Sequence, residues 1–175
     1  MSLPVFERKA RFTRPMRPNS NVSPQTMTLS VPVKFEDILA AYEWVSSSPF
    51  DNDAFVSRIT GNVHWSSSTI ELDDELPEDI EDGSIYVAVP NKHDLNLGKN
   101  LALTFAEEQL ADSYQTVANI FRQRGAYGRF KDLLERKGYL QAWYDYEANA
   151  TELALREWAA EQGLSIAERS GQNAG

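Results

Sequence analysis

The 175-residue sequence contains no cysteine. This absence excludes disulfides, thiolate nucleophiles and cysteine-ligated zinc or iron–sulfur sites. Histidine is scarce as well, because His64 and His93 are the only two, and they leave little material for a transition-metal site. We therefore expect this chain to bind neither a metal nor a cofactor.

Long apolar runs are also missing. No stretch approaches the roughly 20 apolar residues that a membrane-spanning helix needs. The N-terminus has no apolar segment of the kind that marks a secretory signal. These features predict a soluble, cytoplasmic protein without a membrane partner. Hydrophobic residues still make up 42% of the chain, which suffices for a folded core.

The net charge of −9 is unevenly distributed. Residues 1–18 hold five cations and one carboxylate, a charge of +4, so the remainder of the chain carries −13. Residues 1–30 are also rich in proline, and we expect them to be a disordered, basic arm. An acidic body repels nucleic-acid phosphates, so the charge favours a protein partner and disfavours a nucleic acid without excluding one.

Residues 31–164 show the patterns of a single α+β domain, followed by a flexible tail at 165–175. Apolar spacing of three and four residues predicts helices at 34–46, 97–123, 130–136 and 139–162. A hairpin with a two-residue turn at Gly61 and Asn62 is predicted at 54–70, and a further strand at 84–89. The expected fold is a small three-stranded antiparallel sheet packed with one N-terminal helix and three C-terminal helices. Gly138 and Gly163 should end the last two helices. The aromatic stripe of the final helix, with Trp143, Tyr144 and Trp158, should be core, and Tyr146 lies off this stripe and should be exposed.

Residues 71–82 contain eight carboxylates in twelve positions. A calcium loop is the specific interpretation, and it requires acidic or amide residues at the first, third and fifth positions, glycine at the sixth and glutamate at the twelfth. With Gly83 at the sixth position, Ile80 falls third and Val89 twelfth. The pattern fails, so we predict a solvated acidic loop and no metal site.

Two clusters carry candidate chemistry. His93 and Asp94 follow the last predicted strand, and the histidine could act as an acid–base group there. The aspartate could equally cap the next helix, as could Asn96. The second cluster surrounds a glycine-rich corner before a predicted helix, where cations and backbone N–H groups could bind an anion or phosphate. Its candidate residues are Arg122, Arg124, Tyr127, Arg129 and Lys131. A helix–helix corner without a ligand explains the same residues.

Several segments together resemble a known bacterial family. They read, in order, VPVKFEDILAAYEWV, RITGNVHW, LPEDIED, YVAVPNKHDLNLGK, NIFRQRGAYGRFKDLLERKG and WYDYEA…ALREWAAEQGL. The chain is similar over residues 31–164 to the group called Uncharacterised Protein Family 0158. The resemblance implies a small α+β protein and carries no established activity.

These observations favour a non-enzymatic protein-interaction or regulatory module. One alternative is nucleic-acid or nucleotide binding through the 122–131 corner, where Tyr127 could stack on a base. Another is a small hydrolase or transferase that uses His93. The balance leans against an enzyme, because no reactive constellation is complete in the sequence.

Overall fold

The computed structural model describes residues 31–167 of the chain. The predicted arm at 1–30 and the last eight residues of the predicted tail lie outside this range. Five strands occur within it: β1 (Val33–Lys34), β2 (Asn52–Ser57), β3 (Val63–Ser67), β4 (Tyr86–Ala88) and β5 (Ile166–Ala167). Five α-helices accompany them: α1 (Phe35–Ser47), α2 (Lys99–Gln109), α3 (Tyr114–Ile120), α4 (Ala126–Lys137) and α5 (Leu140–Glu161).

A three-stranded antiparallel sheet of order β3-β2-β4 confirms the predicted α+β fold. Val56 of β2 pairs with Val63 of β3 and with Val87 of β4. Residues 58–62 connect β2 to β3, a longer turn than the two residues predicted. Gly61 has a φ of +73°, and a Cβ there would lie 3.0 Å from the carbonyl oxygen of Val31. Both the backbone conformation and this close approach therefore require glycine.

A short parallel pairing joins the two ends of the described chain. β1 pairs with β5, and the Val33 N–H donates to the Ser165 carbonyl at 2.8 Å. Residues 165–167 are thus held to the start of the domain, although the sequence assigns them to a flexible tail. Val33 is fully buried, so this pairing holds part of the core in place. The polar composition of the segment after residue 164 does not predict the pairing.

The predicted helix at 97–123 is wrong as a single element. α2 begins at Lys99, after Gly98 rather than after a capping side chain of Asp94 or Asn96, and it ends at Gln109. Leu110 is non-helical, a 3₁₀ turn follows at Ala111–Ser113, and α3 comes next. The described chain therefore has four C-terminal helices instead of three. A 3₁₀ turn rotates by about 120° per residue and an α-helix by about 100°. The apolar residues therefore keep nearly the same spacing through the turn, and the sequence pattern does not show where the helix breaks.

The core has two neighbouring clusters. One lies between α1, the sheet and the C-terminal half of α5, and it includes Trp158. The other lies among α2, α3, α4 and the N-terminal half of α5, where Trp143 is only 1% exposed and packs edge-to-face on Phe105 and Phe130. The two tryptophans of the last helix are therefore core, as predicted, whereas Tyr144 of the same predicted stripe is exposed. α5 therefore runs through both clusters and fixes their relative position.

In the part of the chain that the structure describes, no helix combines the length and apolar character needed to cross a membrane.

Candidate functional site

A glutamate interrupts the buried stripe of α5. Trp143, Thr151 and Leu155 are buried and share one helix face, and Glu147 lies on that face four residues from Trp143 and from Thr151. The Glu147 side chain is half-buried and has no hydrogen bond or ion pair with any residue in 31–167. Burial raises the pKa of its carboxyl group, and the charges of Lys131 and then Lys92 oppose that increase. A carboxylate that loses solvent without gaining a partner is costly, which marks it as a candidate functional group.

Two half-buried lysines lie near this carboxylate. The Lys131 ammonium sits 5.4 Å from the centroid of the Tyr144 ring, and the Lys92 ammonium sits 5.4 Å from that of Tyr127. Neither ammonium has a carboxylate oxygen within 4.0 Å among the described residues. Lysine side chains are usually exposed. The burial of these two lysines against aromatic rings, without a carboxylate partner, is therefore unusual.

The ring of Tyr127 packs against the Lys92 ammonium. Its hydroxyl is buried and has no hydrogen-bond partner within residues 31–167. A Cβ built on Gly98 would lie 3.3 Å from this hydroxyl and 3.5 Å from His93 Nδ1, so Gly98 leaves room for both side chains. Burial raises the pKa of the Tyr127 hydroxyl, and the negative charge of Glu147 adds to the increase.

Helix α1 fixes the segment that carries Lys92. The Lys92 N–H donates to Ser46 Oγ at 2.9 Å, which ties residues 91–97 to the end of α1. One turn earlier on α1, Tyr42 is buried beside Thr151 of α5, and burial raises the pKa of its hydroxyl while the hydroxyls of Ser46 and Thr151 oppose that rise. Four parts of the chain, α1, segment 91–97, α4 and α5, thus converge on Glu147.

A groove of about 460 Å³ opens between α1 and α5 above this cluster. We call it the α1–α5 groove; its lining residues are Phe35, Leu39, Tyr42, Glu43, Tyr144, Glu147, Ala148, Thr151 and Glu152. Its walls are mainly aromatic and aliphatic, with three carboxylates among them. Such a combination of apolar walls and a few polar groups is typical of binding sites.

The two ends of the groove differ. At one end the Lys131 ammonium lies over the ring of Tyr144. At the other end the Arg156 guanidinium stacks 4.8 Å from the centroid of Phe35, and its Nε lies 2.9 Å from Glu152. Since Phe35 faces Arg156 and Tyr42 lies beside Thr151, α1 and α5 run antiparallel, and the lining carboxylate of α1, Glu43, lies toward the Tyr144 end.

The structure divides the predicted anion-binding residues into two groups. Tyr127 and Lys131 are four residues apart on α4, share a face and join the cluster around Glu147. Arg129, two residues from each, lies on about the opposite face, is exposed and donates to Gln123 Oε1. Arg122 and Arg124 are exposed as well. They precede α4, which begins at Ala126, four residues earlier than predicted.

The two candidate acid–base residues form a turn. Asp94 Oδ2 accepts from the Asn91 N–H at 3.0 Å, and the His93 N–H donates to Asn91 Oδ1 at 2.8 Å. His93 is exposed, and no carboxylate oxygen lies within 4.0 Å of its ring in the described range. A general base needs a group that orients it, and no residue between 31 and 167 supplies one to His93.

A second, more polar opening of about 510 Å³ lies where the acidic run approaches β3. Its walls include Asp37, His64, Trp65, Asp74 and Glu75. Even so, no group of three or more histidines, aspartates or glutamates within residues 31–167 is arranged to hold a metal ion. We therefore place the candidate site at the α1–α5 groove.

The sequence alone does not predict Glu147, Tyr42 and Tyr144 as site residues. A signal for Glu147 exists, because a carboxylate occupies a core-facing position of an otherwise apolar stripe. Tyr144 was assigned to the apolar face of the last helix and Tyr146 to the exterior. In the structure Tyr144 is 41% exposed, whereas Tyr146 packs on Phe105 at 5.1 Å between ring centroids.

Comparison with known proteins found no match for this chain among family models, curated proteins or solved structures. The resemblance to Uncharacterised Protein Family 0158 rests on the quoted sequence segments alone and stays a prediction.

Proposed function

We propose that this protein is a non-enzymatic protein-interaction module that binds a basic segment of a partner protein in the α1–α5 groove. One observation carries the proposal: the groove joins the aromatic walls of Phe35, Tyr42 and Tyr144 to the carboxylates of Glu43 and Glu152. Aromatic faces together with carboxylates favour the long, cationic side chains of lysine and arginine. The stacking of Arg156 on Phe35 supports this choice of partner, because it presents a guanidinium to a wall of the groove.

The dimensions of the groove suit a short peptide. Tyr144 and Glu152 are eight residues apart on α5, which corresponds to about 12 Å along the helix axis. An extended chain covers about 3.3 Å per residue, so three or four residues of a partner would fill this length. The volume of about 460 Å³ is comparable with that of binding clefts for molecules of similar size.

The charge of the protein adds long-range attraction. Residues 31–167 carry the whole −13 that lies outside the arm, because Glu168 and Arg169 cancel each other. A strongly acidic body raises the rate of encounter with a basic partner and repels an acidic one. We therefore expect binding to weaken as the salt concentration rises.

A peptide-binding measurement tests the proposal. The basic probe is a mixture of fluorescein-labelled tetrapeptides with Arg or Lys at the first two positions and Leu or Phe at the last two. The acidic probe has Glu at the first two positions. We expect the full-length protein to increase the fluorescence anisotropy of the basic probe and to leave that of the acidic probe unchanged.

Two matched variants locate the binding. Ala148 lines the groove and is exposed, so Ala148→Trp should fill the groove without disturbing the core and should abolish binding. Ala142 is exposed on the same helix outside the groove, and Ala142→Trp should bind like the unmodified protein. Absence of binding by the unmodified protein, or equal binding by Ala148→Trp, would contradict the proposal.

A second candidate function is phosphate binding at the 122–131 corner. Arg122, Arg124 and Arg129 are exposed there, and none has a carboxylate within 4.0 Å among the described residues. Binding to single-stranded DNA should then fall steeply with salt and decrease in Arg124→Ala and Arg129→Ala. Tyr127 is half-buried against Phe121, at 5.2 Å between ring centroids, so base stacking on it is not part of this candidate.

A further inference from the structure

Strand β3 lies at an edge of the three-stranded sheet. Within residues 31–167 it pairs with β2 alone. The ladder between these strands includes the pair of Ser57 and Asn62, because the Ser57 N–H donates to the Asn62 carbonyl at 2.9 Å. Backbone groups alternate in direction along a strand, so Val63, Trp65 and Ser67 point their N–H and C=O groups away from β2. These groups can pair with one further strand.

The space beside this edge is open. The opening of about 510 Å³ is lined by residues 62–65 on one side and by residues 74–76 on the other. A second opening continues along residues 65–67, opposite residues 70–72. The two openings together follow the whole of β3. A strand that pairs with β3 would lie about 4.8 Å from it, within this space.

The N-terminal arm meets the described domain at the start of the same edge. The carbonyl oxygen of Val31 lies 3.0 Å from the Cβ that a side chain at Gly61 would carry, and that of Pro32 lies 3.3 Å from it. Gly61 precedes β3 by two residues, and β3 leads away from it. A chain that reaches Val31 by running along β3 is therefore antiparallel to β3, with Val31 opposite Gly61.

The last residues of the arm have the alternation of a strand, although the composition of the whole arm predicts disorder. Residues 26–31 read TMTLSV. Met27, Leu29 and Val31 are apolar, and the residues between them are threonine or serine. Alternation with a period of two is typical of a strand with one covered face.

The two faces of the sheet select the same register. Trp65 lies on the face that α1 covers, since its ring packs edge-to-face on that of Trp44 at 6.1 Å between centroids. With Val31 opposite Gly61, Leu29 lies opposite Val63 and Met27 opposite Trp65. Residues directly opposite each other share a face, so the apolar side chains of the arm turn toward α1. A shift by one residue would turn them to the other face.

We propose that residues 26–30 form a fourth strand of the sheet, antiparallel to β3, at its open edge. This strand contacts Leu76 and Ile70, two exposed apolar side chains that line the openings, and it closes the edge against pairing with another chain. The proposal does not depend on the function proposed for the α1–α5 groove.

The charges of the arm favour the same placement. Residues 8–17 contain five cations and no carboxylate, whereas residues 71–82 contain eight carboxylates and begin four residues after β3. About 30 Å of extended chain separates Arg17 from Thr26, so these cations can reach the acidic run from the far end of the strand. Their attraction gives the acidic run a partner within the chain.

Paired cysteines test the register in the full-length protein, which has no cysteine of its own. Thr28 lies opposite His64 at a non-hydrogen-bonded position, where the two Cα atoms are about 4.5 Å apart and a disulfide can form. Thr28→Cys combined with His64→Cys should therefore form an intramolecular disulfide in glutathione buffer. Ser30→Cys combined with His64→Cys is the matched control. Its tether to Val31 is shorter, but its Cα atoms are about 7–8 Å apart, beyond the usual disulfide range.

We expect the disulfide of the first pair to be favoured at least about tenfold over that of the control at the same glutathione ratio. Equal cross-linking, or stronger cross-linking of the control, would overturn the proposal, since tether length alone would then govern contact. A disulfide between two molecules would assign the edge to a second copy of the chain and would also overturn it.

Amide hydrogen exchange measured by NMR gives a second readout. The Val63 and Trp65 N–H groups should exchange at least about tenfold more slowly in the unmodified protein than in Leu29→Pro, which removes a donor to β3. Thr28→Pro is the control, because the Thr28 N–H points away from β3 in this register. Val56 pairs with β4 and should stay protected in both variants, which shows that the sheet is intact.

The exchange data decide the proposal independently of the cysteines. Rapid exchange of the Val63 and Trp65 amides in the unmodified protein would show that the edge is free. Protection that survives in Leu29→Pro would show that another segment covers the edge. Either result would overturn the fourth strand.

Discussion

Replacement of Glu147 by glutamine should stabilise the protein at neutral pH. Glutamine preserves the shape of the side chain and removes the charge that burial disfavours. The glutamate has no hydrogen bond or ion pair within the described part of the chain, so Glu147→Gln breaks no contact there. The nearby lysines offset only part of the desolvation, because the net effect on its pKa is an increase.

The size of the effect follows from the burial of the side chain. A buried polar group without a partner costs about 1–3 kcal/mol. The Glu147 side chain is only partly buried, so we expect a gain of about 1 kcal/mol, at the low end of that range. For a chain of this length such a gain raises Tm by about 2–4 °C.

The pH dependence has a defined sign. The pKa of Glu147 is raised in the folded protein above its usual value of 4.5. The folded state therefore binds a proton at Glu147 more tightly than the unfolded state does. The stability that this proton contributes is fully present below pH 4.5 and is lost as pH rises through the folded pKa. The stability difference between Glu147→Gln and the unmodified protein should thus grow with pH and then level off.

Urea unfolding followed by tryptophan fluorescence measures this difference between pH 5 and pH 8. Glu43→Gln serves as the control, because Glu43 lines the same groove but is exposed. We expect this control to change stability by less than about 0.5 kcal/mol. A Glu147→Gln variant that is no more stable at pH 8, or a difference that does not change with pH, would refute the account of Glu147.

Three further predictions concern the fold, and urea unfolding at neutral pH tests each. Gly138→Ala should destabilise the protein by about 1–2 kcal/mol, because Gly138 ends α4 with a φ of +77°. Gly128 lies inside α4 with open space around it, so Gly128→Ala should stabilise the protein by about 0.5–1 kcal/mol. Equal effects of the two substitutions would contradict the helix boundaries. Asn52→Ala should cost about 2–3 kcal/mol, since this buried amide donates to the Trp44 carbonyl at 3.2 Å and accepts from a β3 serine. Leu155→Ala should cost about 2–5 kcal/mol, because Leu155 is fully buried, and a loss below 1 kcal/mol would contradict the core described here.

Local stereochemistry made much of the fold predictable. Gly138 and Gly163 were predicted to end helices, and both follow helix ends with φ values of +77° and +71°. The sheet was predictable because alternating apolar residues and a glycine-containing turn specify a hairpin without reference to the rest of the chain.

The break after α2 was not predictable in the same way. The apolar residues keep a three- and four-residue spacing through Leu110, and the 3₁₀ turn that follows nearly preserves the phase of that spacing. Tertiary packing decides the geometry there, since Leu110 is buried in a non-helical conformation. The helical spacing of apolar residues therefore does not reveal that the chain changes direction after α2.

The candidate site was only partly visible in the sequence. Tyr127 and Lys131 attract attention because they lie in a cluster of cations, but the helix sends them to a different face from Arg129. Their neighbours Tyr42 and Glu147 are separated by more than 100 positions in the sequence. Only the packing of α1 against α5 brings those two together, and no local pattern encodes that contact.

The most direct test of the proposed binding site is an NMR titration of the uniformly ¹⁵N-labelled full-length protein with the basic probe. We predict that the amide signals that shift most belong to Leu39, Tyr144 and Ala148, which line the groove. Shifts concentrated at Arg122, Arg124 and Arg129, or no shifts at saturating probe, would contradict the claim that the α1–α5 groove is the binding site.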